Sequence, residues 1–189
     1  DKSIKFQCKV SVMNGVYSKD GCLVLDKSGN LTSINFASVE GAYRNKVKKT
    51  TIIVTETCTS LEEKCKDYAK LTQVEIVTNG SNRLENMSYM FSGCKSLKKV
   101  DFGNLDTSKV TNMSHMFEGC KSLQSIDLSQ INTAKVTDMS YLLSGCSSLK
   151  NIDLSQLNTA KVTDMSYLFS GCSSLKTIDL SQLNTSNVR

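Results

Sequence analysis

Four cysteines, Cys94, Cys120, Cys146 and Cys172, stand 26 residues apart. Thiols in a regular series can be metal ligands, disulfide partners or packing groups. Metal binding needs a second cysteine or a histidine at ligand spacing, and no copy of the series supplies one. Sulfurs stacked in register would carry parallel Cβ vectors, which is poor disulfide geometry. The favoured reading is a ladder of buried free thiols, because free cysteine packs as a small hydrophobe. Cys8 and Cys22 lie outside this register, where a disulfide could compensate for a thin core. A Cys58–Cys65 pair is less favoured, because Cys65 aligns with an inward position.

Two more columns share the period. Tyr89, His115, Tyr141 and Tyr167 each follow a serine and are expected to project outward. Exposed aromatics bring large rigid area to a binding surface; the competing reading is that they only cover neighbouring copies. His115 is the sole histidine and replaces a tyrosine, so no histidine-based catalysis is expected. Asp101, Asp127, Asp153 and Asp179 are expected in mid-strand, facing out. They could form a cation site or a charged ligand track, but calcium takes six to eight oxygens. One carboxylate per copy is sparse, so a solvated charged face is the plainer expectation. Lys98, Lys150 and Lys176 or nearby hydroxyls could offset its repulsion. The pairs Asn132-Thr133, Asn158-Thr159 and Asn184-Thr185, with Asp106-Thr107 as a variant, suit a turn ladder that satisfies backbone groups. Nucleophile elbows, phosphate loops and dinucleotide fingerprints are absent, and no cofactor or metal is expected.

Composition narrows the function further. The net charge is +5, from 23 basic and 18 acidic residues, with no basic run interleaved with aromatics. Nucleic-acid binding is therefore not expected. No run of about 18 apolar residues exists, so no membrane-inserting helix is expected.

These columns belong to one repeated unit, and a fixed period is the first signature to be sought. Copies start at Leu84, Val110, Val136 and Val162, giving regular coils 84–109, 110–135, 136–161 and 162–187. A degenerate coil, 58–83, precedes them; Leu71, Val74 and Ile76 match Leu97, Val100 and Phe102. Residues 1–57 read as an irregular, β-rich N-terminal cap with strand-like runs QCKVSV, GCLVLD, LTSINF and TTIIVT. Within a coil, Leu149, Ile152 and Leu154 fit a short strand facing inward. Asp138 to Gly145 fits a short helix, with Met139, Leu142 and Leu143 on one face. Gly145 suits its left-handed exit. Met87, Met113, Met139 and Met165 would be rungs of the buried ladder beside the cysteines. No single coil can bury its apolar face, so the coils must stack as a solenoid. The pattern reaches Arg189 without a polar cap. That leads us to expect truncation there, with end-to-end self-association through the last coil.

The run F-x-G-C-x-S-L-x-x-I/V-D-L, preceded by V-T-N/D-M-S-x-M/L-F, resembles the BspA-type bacterial surface leucine-rich repeats. The resemblance is strong over residues 84–187 and weak over 58–83. It implies an α/β solenoid, a right-handed leucine-rich-repeat superhelix with one parallel sheet of short strands and short helices on the other side. It also implies an extracellular or cell-surface location and no enzymatic site. The expected role is a binding module, adhesin-like, for a protein or glycan on a host or neighbouring cell. The alternative is a structural spacer without a ligand of its own, which the near-repetition of outward residues favours slightly.

Overall fold

The protein is described from a computed structural model, which covers residues 48–55, 58–79 and 81–189. Cys8 and Cys22, and the cap runs QCKVSV, GCLVLD and LTSINF, lie outside the described residues. The chain winds as a stack of coils. Three strands, β1 (Lys49–Thr55), β2 (Gln73–Asn79) and β3 (Lys99–Asp101), form a parallel sheet in the order β1-β2-β3. Register places Ile52 beside Ile76 and Val74 beside Val100. Ile52, Val54, Val74, Ile76 and Val100 are buried, as the alternation of a half-buried sheet requires.

The sheet does not continue through every coil, contrary to expectation. β2 carries Glu75 where β3 has Asp101. Asp101 Oδ1 accepts the N–H of Gly103 at 3.0 Å, and Asp127, Asp153 and Asp179 accept those of Ser129, Ser155 and Ser181 at 2.9 Å. Each such turn takes an N–H out of strand pairing. Beyond β3, coils are joined at this side by single bonds such as Lys150 N–H to Gln124 O at 3.0 Å. Isolated parallel bridges link Ser60, Asn86, Asn112, Asp138 and Asp164 down the whole stack.

The short helices expected opposite the sheet are absent among the described residues. Tyr89, His115, Tyr141 and Tyr167 have φ near +57° (56, 57, 56 and 58), which no right-handed helix accommodates. Instead, N–H groups alternate. Those of Met87, Tyr89, Phe91 and Gly93 donate to the carbonyls of Asn112, Ser114, Met116 and Glu118 one coil on, at 2.7–2.9 Å. Those of Met90, Ser92 and Cys94 reach back three residues, to Met87, Tyr89 and Phe91. An isolated eight-residue helix is unfavourable because nucleation outweighs so few bonds, whereas bonding to the next coil satisfies the same groups. On the threonine side the direction reverses: Thr111, Thr137 and Thr163 N–H donate to the preceding coil at 2.8–2.9 Å.

The inward set is nevertheless the anticipated one. Met87, Met113 and Met139 are buried, and Met165 is half-buried. Cys94, Cys120, Cys146 and Cys172 are buried free thiols. Phe91 and Phe117 stack at 5.4 Å between them. Thr107, Thr133 and Thr159 are buried and form a polar ladder. Each hydroxyl donates to the carbonyl of Asn132, Asn158 or Asn184 and accepts the same residue's N–H.

Candidate functional site

The outward residues fall into separate columns, and the turn chemistry decides which remain available. The carboxylates of Asp127, Asp153 and Asp179 are held below the usual range by hydrogen bonds from the serine hydroxyl and N–H two residues on. The repulsion expected of this column is thus offset by hydroxyls and amides. Among the described residues, Lys98, Lys150 and Lys176 make no ion pair with it. Among the same residues no cluster of three or more His, Cys, Asp or Glu could hold a metal ion.

Cys94, Cys120 and Cys146 are closed to solvent, and Cys172 nearly so. Cys94, Cys120, Cys146 and Cys172 donate to the carbonyls of Cys65, Phe91, Phe117 and Leu143, at 2.9–3.2 Å. Burial pushes the Cys94 and Cys146 thiols up to about 12 and Cys120 well above its ordinary value. Such thiols are poor nucleophiles, because the thiolate is the reactive form. A cavity of about 10 Å³ between the last two coils is lined by Leu143, Leu154 and Phe169. It holds at most one water and no small molecule.

What the coils do present is a continuous aromatic ribbon. Tyr89 and His115 stack with centroids 4.3 Å apart and planes within 7°. His115 and Tyr141 follow at 4.5 Å and 8°, and Tyr141 and Tyr167 at 4.6 Å and 17°. The left-handed backbone at each ring residue projects the side chain out of the coil, one above the next. Asn86, Asn112, Asp138 and Asp164 fix the approach: each side-chain oxygen accepts the N–H of the serine before the ring residue, at 2.8–2.9 Å. Tyr167 is 61% exposed, and the other three rings are half-buried. Partial desolvation, then nearby Tyr167, Glu118 and Asp164, raise the Tyr141 hydroxyl above its ordinary value. It remains a protonated donor at neutral pH.

Three residues that the sequence reading passed over complete the ribbon. Glu118 Oε2 lies 2.9 Å from His115 Nδ1. Lys66 Nζ sits 4.8 Å from the centroid of Tyr89 and pairs with Glu63. Glu63 has φ of +57° and stands one repeat before Tyr89, so it is the first member of the column. The signal was present in the spacing. The coil with histidine in the ring position is the one with glutamate three residues later, where the next two coils have Ser144 and Ser170.

Stacked coils with a parallel strand ladder, leucine and cysteine rungs and a surface ribbon define a leucine-rich-repeat solenoid. A family described as BspA type leucine rich repeat region, in six copies, matches residues 24–132, more than half the chain. The chain belongs to the BspA-type leucine-rich repeat family. A second family, described as Mycoplasma protein of unknown function, DUF285, matches residues 85–189. No curated protein and no solved structure matches.

Proposed function

We propose that this chain is a non-enzymatic, adhesin-like binding module of a secreted or cell-surface protein, its coils wound as a right-handed superhelix. It offers a repeat-built surface to a protein or glycan partner on a host or neighbouring cell. The aromatic ribbon from Tyr89 to Tyr167 carries this reading. Left-handed backbone at a non-glycine residue costs about 1–2 kcal/mol; five coils bear that cost at this position, and four of them place a ring there. A spacer with no ligand could use glycine or asparagine there. Repeated weak contacts along the ribbon would add through multivalency.

The test is a screen of immobilised matrix proteins and glycans with the full chain, a Tyr141→Ala variant, variants lacking one or two coils and a variant lacking residues 1–57. Binding that falls in steps with coil number and with loss of the ring supports a repeat-built site. Binding lost only on removal of residues 1–57, or indifferent to the ribbon, overturns it.

A further inference from the structure

We infer that the ribbon takes a neutral, extended glycan lying along the solenoid axis, held by ring edges and hydroxyls and not by ring faces. This rests on the ribbon being the binding element. Aromatic side chains at a surface usually offer their faces, but here each inner face is covered by the next ring at 4.3–4.6 Å. The outer face of Tyr89 is covered by Lys66. Along its length the ribbon therefore exposes edges, which carry the positive rim of the ring quadrupole. With them come the hydroxyls of Tyr89, Tyr141 and Tyr167 and Nε2 of His115. Among the described residues none of these four groups makes a hydrogen bond. A tyrosine hydroxyl both donates and accepts, and the imidazole does one or the other according to its tautomer. The site is thus a row of four hydrogen-bonding groups about one coil apart.

The hydrogen-bonding groups and the charge select among extended partners. An extended peptide is captured by main-chain hydrogen bonds to an exposed strand edge, whereas the ribbon offers a row of side-chain groups. A helix has its backbone groups paired internally. Single-stranded nucleic acid is held by successive bases stacking on open aromatic faces and by a basic track; the ribbon offers only the end face of Tyr167 and no basic track. The Glu118 carboxylate lies within the ribbon, 2.9 Å from His115 Nδ1, and Asp164 closes the turn that leads into Tyr167, so a polyanionic glycan meets negative charge there. A neutral glycan carries hydroxyls on every unit and meets the row with like groups.

The experiment measures retention of the full chain on immobilised neutral β-glucan, mannan and chitin, with heparin as the polyanionic control. The deciding variant is Tyr89→Phe/Tyr141→Phe/Tyr167→Phe, which keeps every ring and removes every phenol hydroxyl; thermal melting checks that the stack is intact. Three hydroxyls lost should weaken binding to a neutral glycan at least about tenfold. Binding retained by the phenylalanine variant but lost in the corresponding alanine variant overturns the hydroxyl reading and leaves the ribbon as the binding element. Binding unchanged in both overturns the ribbon itself. Retention on heparin alone, or on none of these supports, overturns the glycan.

Discussion

At the scale of single residues, the least expected feature is the tyrosine backbone. The sequence marks Gly145 as a left-handed exit, and it and its counterparts Gly93, Gly119 and Gly171 all have φ of 69–74°. Nothing in the residue type marks Tyr141, since tyrosine is not a residue that seeks positive φ. Its conformation is held by the Asp138 turn before it and the rings on either side. This inverts a usual order of substitution. Tyr141→Ala keeps the backbone strain and loses the stack, whereas Tyr141→Gly loses the stack but relieves the strain. The glycine variant should melt roughly 2–4 °C above the alanine variant; the opposite order would remove the strain argument. The thiols were more legible, because a regular period and the lack of ligand partners already pointed to packing. Their burial has a pH consequence. An unfolded cysteine ionises near 9, whereas folded Cys94 and Cys146 hold their protons to about 12. The stability from this pair is complete below about pH 9 and is lost as pH rises towards 12. Urea midpoints between pH 7.5 and 10.5 should fall more steeply for the native chain than for a Cys94→Ala/Cys146→Ala variant. Parallel slopes would show that these thiols do not govern the alkaline limb.

At the scale of the coil, the inward spacing was legible in the residues, and the backbone that carries it was not. Met139, Leu142 and Leu143 at i, i+3 and i+4 are all buried. That spacing belongs to a helix, but it also belongs to a chain of turns with bonds three residues back, such as Leu142 N–H to Met139 O at 3.2 Å. Side-chain periodicity cannot separate the two, because the deciding bonds run between coils. The Asn-Thr turn was easier to read, since the asparagine half of it is local: Asn132 Oδ1 accepts the N–H of Ala134 at 3.0 Å; the threonine half joins one coil to the next. Thr133 is buried, and its hydroxyl donates to Asn158 O at 3.0 Å and accepts Asn158 N–H at 2.8 Å. Thr133→Val keeps the shape and leaves both backbone groups unpaired, so it should cost about 2 kcal/mol or more. Thr133→Ser keeps both bonds and should cost under about 1 kcal/mol. Chemical denaturation of the two variants separates them. A larger loss for Thr133→Ser than for Thr133→Val would mean that the methyl group, and not the hydroxyl, holds the coils together.

At the scale of the whole molecule, each coil touches only its neighbours, so opening should travel along the axis and not occur everywhere at once. Burial is graded accordingly. Met139, Leu142, Leu143 and Leu149 are buried, whereas Met165, Leu168, Phe169 and Leu175, one coil later, are half-buried. The gradient could not be read from the sequence, because coils 136–161 and 162–187 are written in nearly the same residues. Their difference is one of position in the stack. The cysteine ladder reports it without any added probe: Cys94, Cys120 and Cys146 are 0% exposed and Cys172 is 8% exposed. In a chain of these 189 residues, where 162–187 is the last coil, a thiol reagent should modify Cys172 first, by about tenfold or more, then Cys146, with Cys120 and Cys94 slowest. Pulsed alkylation followed by peptide mass spectrometry gives the order directly. A common rate for all four would mean that the solenoid opens as one cooperative unit. Fast labelling of Cys120, with coils on both sides, would contradict the buried ladder itself.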